Sequence, residues 1–166
     1  YSAALKVLSK ALKELPKHKD LLYARALLAE KLDDLDLHER DLRLVLKLDP
    51  KNAHALNALG YTLADRTDRH QEAFKLIKQA LDLRPNDPFI LDSMGWVHYR
   101  LGNSTDAVHF LRRALEIRAD AEISAHLGEV LWQSGKQRQA QRIWRRALKK
   151  HPDNEVLQSA IKKFKK

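Results

Sequence analysis

The stretch PFILDSMGWVHYRLGNSTDAVHFLRRALEIRAD, residues 88–120, decides the fold. Its first half sets Leu91, Met94, Gly95 and His98 on one face of a helix, and its second half sets Ala107, Leu111 and Ala114 on one face of another. Between them lies LGNST. Gly102 suits the left-handed residue that follows a helix end, and Asn103, with Asp106 three residues on, is a start signal for the next helix. At the front, Asp87 is a good N-cap and Pro88 takes the first helical position, where proline fits best. The stretch predicts a helical hairpin of about 33 residues, close to the periods on which helical solenoids are built. Such a hairpin cannot bury both faces alone, so it needs neighbours.

The chain supplies them on both sides. The hairpin's pattern is a Gly in the first helix, then Ala, a large apolar residue and Ala in the second. It recurs downstream as Gly128, Ala140, Trp144, Ala147 and Pro152, with a turn glycine at Gly135, and upstream as Gly60, Ala73, Ile77, Ala80 and Pro85, with one extra residue in the turn DRTDRH. A weaker copy follows as Ala26, Leu42, Val45 and Pro50, with His38 where a small Ala is expected. Ala4, Leu8, Ala11 and Pro16 match a second helix whose first helix is missing. Pro16, Pro50, Pro85 and Ala119 are spaced 34, 35 and 34 residues apart, and Pro152 follows after 33. The glycines and paired alanines let helices approach closely, and the prolines end one hairpin before the next begins.

Gly, then Ala, a large apolar residue, Ala and Pro at this period resemble the tetratricopeptide repeat (TPR). The resemblance implies an all-α, right-handed superhelix of antiparallel helix pairs, an α-solenoid. It divides the chain into the second helix of a truncated repeat at 1–18, a degenerate repeat at 19–52, repeats at 53–87, 88–120 and 121–153, and a capping helix at 154–166. In that last helix Val156, Leu157, Ala160, Ile161 and Phe164 share one face and lysines line the other, as the open end of a solenoid requires. The chain is expected to be part of a longer protein with further repeats upstream.

Five Gly and five Pro, with plentiful Leu, Ala, Lys, Arg and Glu, agree with an all-helical chain. No run approaches the roughly 18 uncharged apolar residues of a membrane span. The absence of cysteine excludes disulfides, thiol catalysis and cysteine-ligated zinc within this stretch of chain. The net charge of +9 is uneven: residues 136–166 hold 11 Lys and Arg against 2 Asp and Glu, while residues 1–135 hold 20 of each sign.

The eight histidines form no HExxH and no ligand-spaced pair with carboxylates. His98 and His126 fall within the helix-packing pattern, and Ser93 lacks a GxSxG elbow. The expectation is therefore no enzyme, no metal and no cofactor. In TPR arrays the first helices line the concave surface, and by that analogy the groove residues are Tyr23, His54, Asn57, Tyr61 and Asp65, then Phe89, Asp92, Trp96, Tyr99 and Arg100, and finally Glu129, Trp132 and Gln133. Tyr61, Trp96, Tyr99 and Trp132 then make a near-continuous aromatic strip with the composition of a binding hot spot. Trp96 is expected to be a groove anchor whose truncation leaves the fold intact, and Trp144 a core residue. The competing reading is that these aromatics fill gaps between repeats. The Lys and Asn clamp of chaperone-binding TPR proteins is missing: its positions hold Asn57 with Tyr61, Asp92 with Trp96, and Ala125 with Glu129. That argues against a ligand with an acidic C-terminal tail. A second candidate surface is the basic patch of Arg138, Arg142, Arg145 and Lys149, extended by Lys162, Lys163, Lys165 and Lys166. Its plain alternative is a solvated face.

Three phrases, LNALGYTLADRTDR (56–69), LDSMGWVHYRLG (91–102) and AHLGEVLW (125–132), with LLYARALLAEKLDDLD (21–36), are similar to one branch of this family, Gram-negative envelope lipoproteins with long TPR arrays. The branch includes an adaptor for a periplasmic carboxyl-terminal processing protease. The resemblance implies a non-enzymatic scaffold on the periplasmic side of the outer membrane. Its partners would be that protease and substrates such as cell-wall hydrolases, and its membrane link a lipid anchor outside this chain. The alternatives are anionic-surface binding, to nucleic acid or acidic lipid, through the basic C-terminal helices, or service as the non-catalytic arm of a larger enzyme.

Overall fold

The computed structural model describes residues 1–164. They fold into ten helices: α1 Ser2–Glu14, α2 Lys19–Lys31, α3 Leu35–Leu48, α4 Ala53–Arg66, α5 His70–Leu83, α6 Pro88–Arg100, α7 Ser104–Ile117, α8 Ala121–Gln133, α9 Gln137–Lys150 and α10 Glu155–Phe164. No strand occurs among the described residues. Helix starts follow the repeat. A side chain just before each of α2, α4, α6, α8 and α10 accepts a backbone N–H of the first turn: His18, Asn52, Asp87, Asp120 and Asn154. Such a cap satisfies donors that the helix itself leaves orphaned. The second helices α5, α7 and α9 start without a side-chain cap. Asn103 is therefore in the expected position but does not make the expected bond, and α7 depends on packing instead.

Turns within the hairpins use the left-handed conformation, Gly102 at φ +84° and Gly135 at φ +77°. Asp33 takes the same place between α2 and α3 at φ +63°, which a non-glycine residue adopts only with strain.

Paired helices pack α2 on α3, α4 on α5, α6 on α7 and α8 on α9, and successive pairs stack through α4–α6–α8–α10. The recurring small residues sit at the crossings. Ala73, Ala107 and Ala140 are fully buried, as are Ile77 and Leu111. A Cβ on Gly95 would lie 2.6 Å from Leu111 Cγ, and one on Gly128 would overlap the Trp144 indole. These close crossings bury two apolar clusters, one from Leu12 to Val97 and one from Leu91 to Ile161, with the half-buried Leu81, Tyr99 and Phe110 packed against both. In the degenerate hairpin the crossing is polar: His38 Nδ1 meets Ala26 O at 2.9 Å, and Arg25 forks onto buried Asp41 at 2.6 and 2.9 Å. A paired, forked arginine satisfies a buried carboxylate that would otherwise be costly there. At the N-terminal end of the array Tyr1, Val7 and Leu15 are exposed.

Candidate functional site

The inner face of the solenoid is built by α4, α6, α8 and α10, which place equivalent residues side by side. Asp92 of α6 sits one helix away from His126 of α8, and His126 Nδ1 lies 2.9 Å from both carboxylate oxygens. On its other side His126 Nε2 lies 3.3 Å from the Tyr61 hydroxyl of α4. Trp96 stacks on the imidazole with centroids 4.4 Å apart and donates its Nε1–H to Asp65 Oδ1 at 3.1 Å. Arg100 Nη1 donates to the Asp65 backbone carbonyl at 3.1 Å. One polar and aromatic network therefore ties together the first helices of three successive repeats.

A cleft of about 700 Å³ opens above this network. Trp96, Tyr99 and Arg100 wall it from α6, Ala125, His126 and Glu129 from α8, and Asp65 from α4. Its fourth wall is α10, through Val156, Ser159, Ala160 and Lys163. Lys163 Nζ pairs with Glu129 Oε1 at 2.8 Å.

Burial alone would push His126 below its ordinary value. The charge and hydrogen bond of Asp92, with Asp65 and Glu129 behind it, outweigh that and hold it raised. Tyr61 is pushed far above the usual phenol range, first by burial and then by the charges of Asp65, Asp92, Glu122 and Glu30. Its phenol stays protonated at any physiological pH. With Nδ1 donating to Asp92, the neutral imidazole accepts from that phenol and the charged one donates to it. Tyr99 is also raised, by burial and by Glu129, against the opposing charges of Lys163 and Arg100.

The structure redistributes the expected groove residues. Trp96 is only 6% exposed, so it is an inter-repeat tie with one edge on the cleft and not a free anchor. Asp92 is buried too, taken up by His126. Trp132 leaves the strip altogether: it stacks on Trp144 at 5.7 Å and meets Phe164 of α10 at a tilt, at 5.9 Å. The aromatic strip is thus interrupted at Trp132. Tyr61 and Trp96 pack on His126 and Tyr99 packs on Trp96, so His126 lines this cleft as well as packing. His54, Phe89 and Gln133 are exposed and do not line the cleft. Phe89 lies under the Arg118 guanidinium, 5.2 Å from its centroid. Tyr23 is half-buried against the N-terminal core, and Asn57 Oδ1 is buried with no hydrogen-bond partner.

His98 is a packing residue, held between Phe74 and Phe110 with centroids at 5.4 and 5.3 Å, and burial lowers its pKa despite Asp106. Of the basic patch, Arg138, Arg142, Arg145, Lys149 and Lys162 are exposed. Lys163 does not belong with them, because it faces the cleft. Lys165 and Lys166 lie outside the described residues. Among the described residues no group of three His, Asp or Glu side chains could hold a metal ion. The cleft residues missing from the expected groove are Ala125 and His126 of α8, the latter read only as packing, and those of α10, of which Lys163 was placed in the basic patch. Spacing could have found those of α10, since Ser159 and Lys163 follow Ala125 and Glu129 by 34 residues, one repeat.

Two tetratricopeptide repeat models match this chain, at residues 53–120 and at residues 126–154, together more than half of it. The chain belongs to the tetratricopeptide repeat family. It is 54% identical over 126 residues to TPR repeat-containing protein PA4667 of Pseudomonas aeruginosa, a match covering 76% of this chain and 21% of that protein. The chain therefore spans about a fifth of that relative's length. Among solved structures it resembles TTC0263, a thermophilic TPR protein of Thermus thermophilus, with TM-score 0.83 and 24% identity over 97% of this chain and 90% of that one. It also resembles YrrB, described as a TPR protein with an unusual peptide-binding site, with TM-score 0.66 and 21% identity over 87% and 75%. At those identities the likeness is one of fold. TPR repeats generally act as protein-interaction scaffolds, binding protein or peptide partners without catalysis of their own.

Proposed function

We propose that this TPR array is the binding part of a non-enzymatic adaptor, and that the cleft between α6, α8 and α10 holds an extended segment of a partner protein. The observation that carries this is the cleft's make-up. An aromatic and aliphatic floor, Trp96, Tyr99, Ala125, Val156 and Ala160, lies between two polar ends, Asp65 with Arg100 and Glu129 with Lys163. Apolar lining with a few convergent polar groups is the composition of ligand sites, and Tyr, Trp and Arg dominate binding hot spots. The peptide-binding site named for YrrB lends support from the same fold. The carboxylate–imidazole–phenol chain is read here as structural. Tyr61, its terminal member, is held protonated and is no nucleophile.

The phrases at 56–69, 91–102 and 125–132 support a finer reading. In it the setting is the periplasmic side of a bacterial outer membrane. The partner is a carboxyl-terminal processing protease together with its cell-wall hydrolase substrates, and the lipid anchor lies in another part of the longer protein. The test is titration of the chain against a purified protease of that class. Val156 is 46% exposed on the cleft wall, so Val156→Glu puts a charge in the cleft with little effect on folding. Val156→Glu and Tyr99→Ala are each expected to weaken binding by about tenfold or more, with Val156→Glu melting as wild type does. No binding by the wild-type chain would remove the protease as partner. Binding that ignores both substitutions would remove the cleft as the site.

A further inference from the structure

The outer face of α9 carries Arg138, Arg142, Arg145, Arg146, Lys149 and Lys150, and no acidic residue occurs between Glu129 and Asp153. At about 100° per residue the six cations fill an arc of roughly 140°, opposite the buried Ala140, Trp144 and Ala147. Arg138, Arg142, Arg145 and Lys149 form one side of that arc, a ridge about 16 Å long at 1.5 Å per residue. All six are exposed. To one side, Arg112 of α7 joins Arg146, Lys150 and His151 around a second cleft of about 480 Å³, which Glu116 and Asp120 also line. Arg112 thus adds a cation from a second helix, partly offset by Glu116 and Asp120.

What sets this face apart is how many cations one helix holds without an acidic residue of its own. Several exposed cations elsewhere are paired, Arg43 and Arg69 with Glu39 and Glu72, Arg66 with Asp33, Lys163 with Glu129; others, such as Lys6, Lys10 and Lys13 of α1, stand alone, but no other described helix gathers more than three cations. Among the described residues none of the six α9 cations makes an ion pair, although six like charges on one helix repel one another.

We propose that this face docks on a surface of acidic phospholipids. Guanidinium and ammonium groups suit phosphate oxygens, and Arg meets them through a planar fork. The patch is broad as well as long, which fits charges spread over a plane. Its ridge exposes only Gln137, Gln139 and Gln141 among the cations, with no aromatic side chain to stack on bases. On α9 Ala140, Trp144 and Ala147 are buried and Ile143 and Leu148 half-buried, with no large apolar side chain exposed, so the attachment is electrostatic and inserts nothing into the hydrocarbon. The cleft faces the other side of each hairpin, so a membrane-docked array keeps it free for a partner.

The test is co-sedimentation of the 166-residue chain with vesicles of phosphatidylcholine alone or mixed with equal phosphatidylglycerol. It compares wild type with two variants of equal net charge. One removes the ridge (Arg138→Gln, Arg142→Gln, Arg145→Gln, Lys149→Gln), and the other removes four exposed lysines at the opposite end of the array (Lys6→Gln, Lys10→Gln, Lys13→Gln, Lys17→Gln). Circular dichroism checks that both remain folded. Wild type is expected to bind the acidic vesicles only, and less strongly as salt rises. The ridge variant should lose about tenfold or more, since each cation near an anionic surface contributes severalfold, and the control should stay near wild type. Equal losses in both variants would show attraction by net charge alone and overturn the proposal. So would no binding at about 50 mM salt, or tighter binding to a DNA duplex than to the acidic vesicles, which would make the partner a nucleic acid.

Discussion

Trp96→Ala is the substitution on which the inner face can be judged. The indole is only 6% exposed, stacks on His126 at 4.4 Å and donates to Asp65 at 3.1 Å. Truncating a buried Trp costs about 3–5 kcal/mol through lost transfer energy and the cavity left behind. Asp65 also loses a donor, but it lies at the cleft, where water can replace the indole N–H, so that loss adds about 1 kcal/mol or less. A loss of about 4 kcal/mol lowers the melting temperature of a chain this size by roughly 8–16 °C. Trp96→Phe keeps most of the ring and loses the hydrogen bond, for which about 1–2 kcal/mol is expected. The assay is urea unfolding followed by far-ultraviolet circular dichroism, with a thermal melt alongside. A Trp96→Ala chain that unfolds within about 1 kcal/mol of wild type would refute the reasoning. Trp96 would then be the free groove anchor that the sequence alone predicts.

Three further outcomes follow from the same structure. Gly128→Ala puts a methyl group into the Trp144 indole, and overpacking of this kind should cost about 1–3 kcal/mol or more, read as a lower urea midpoint; an unchanged midpoint would mean α8 and α9 do not cross there. Asp33→Gly relieves a left-handed residue at φ +63° and gives up a surface ion pair with Arg66. A net gain of about 0.5 kcal/mol is expected in the same assay, and a clear loss would show that the ion pair outweighs the strain. His126 is raised by Asp92, so its contribution is fully present below its unfolded value near pH 6.5 and is lost as pH rises through the folded value. Wild type should lose stability as pH rises above that unfolded value, and Asp92→Asn should flatten that slope; equal slopes would assign the pH dependence elsewhere.

The sequence by itself determined the helix pairs and their close crossings, because these depend on local chemistry that repeats. Caps such as Asp87 and Asn52, turn glycines at Gly102 and Gly135, and small residues such as Ala107 opposite Gly95 each act within one hairpin. Their meaning survives transfer from one repeat to the next. The inner face did not follow in the same way, because equivalent positions there hold different residues and meet partners one repeat away. Asp92 and His126 are 34 residues apart and Trp96 and Asp65 are 31 apart, so only the stacking angle of the hairpins decides that they bond. Trp132 looked like Tyr99 in register, yet α10 covers it, and α10 in turn supplies the fourth wall of the cleft. Periodicity says which residues share a face. Which of them are consumed by a neighbour, and which are left for a partner, is settled by the packing of one repeat on the next.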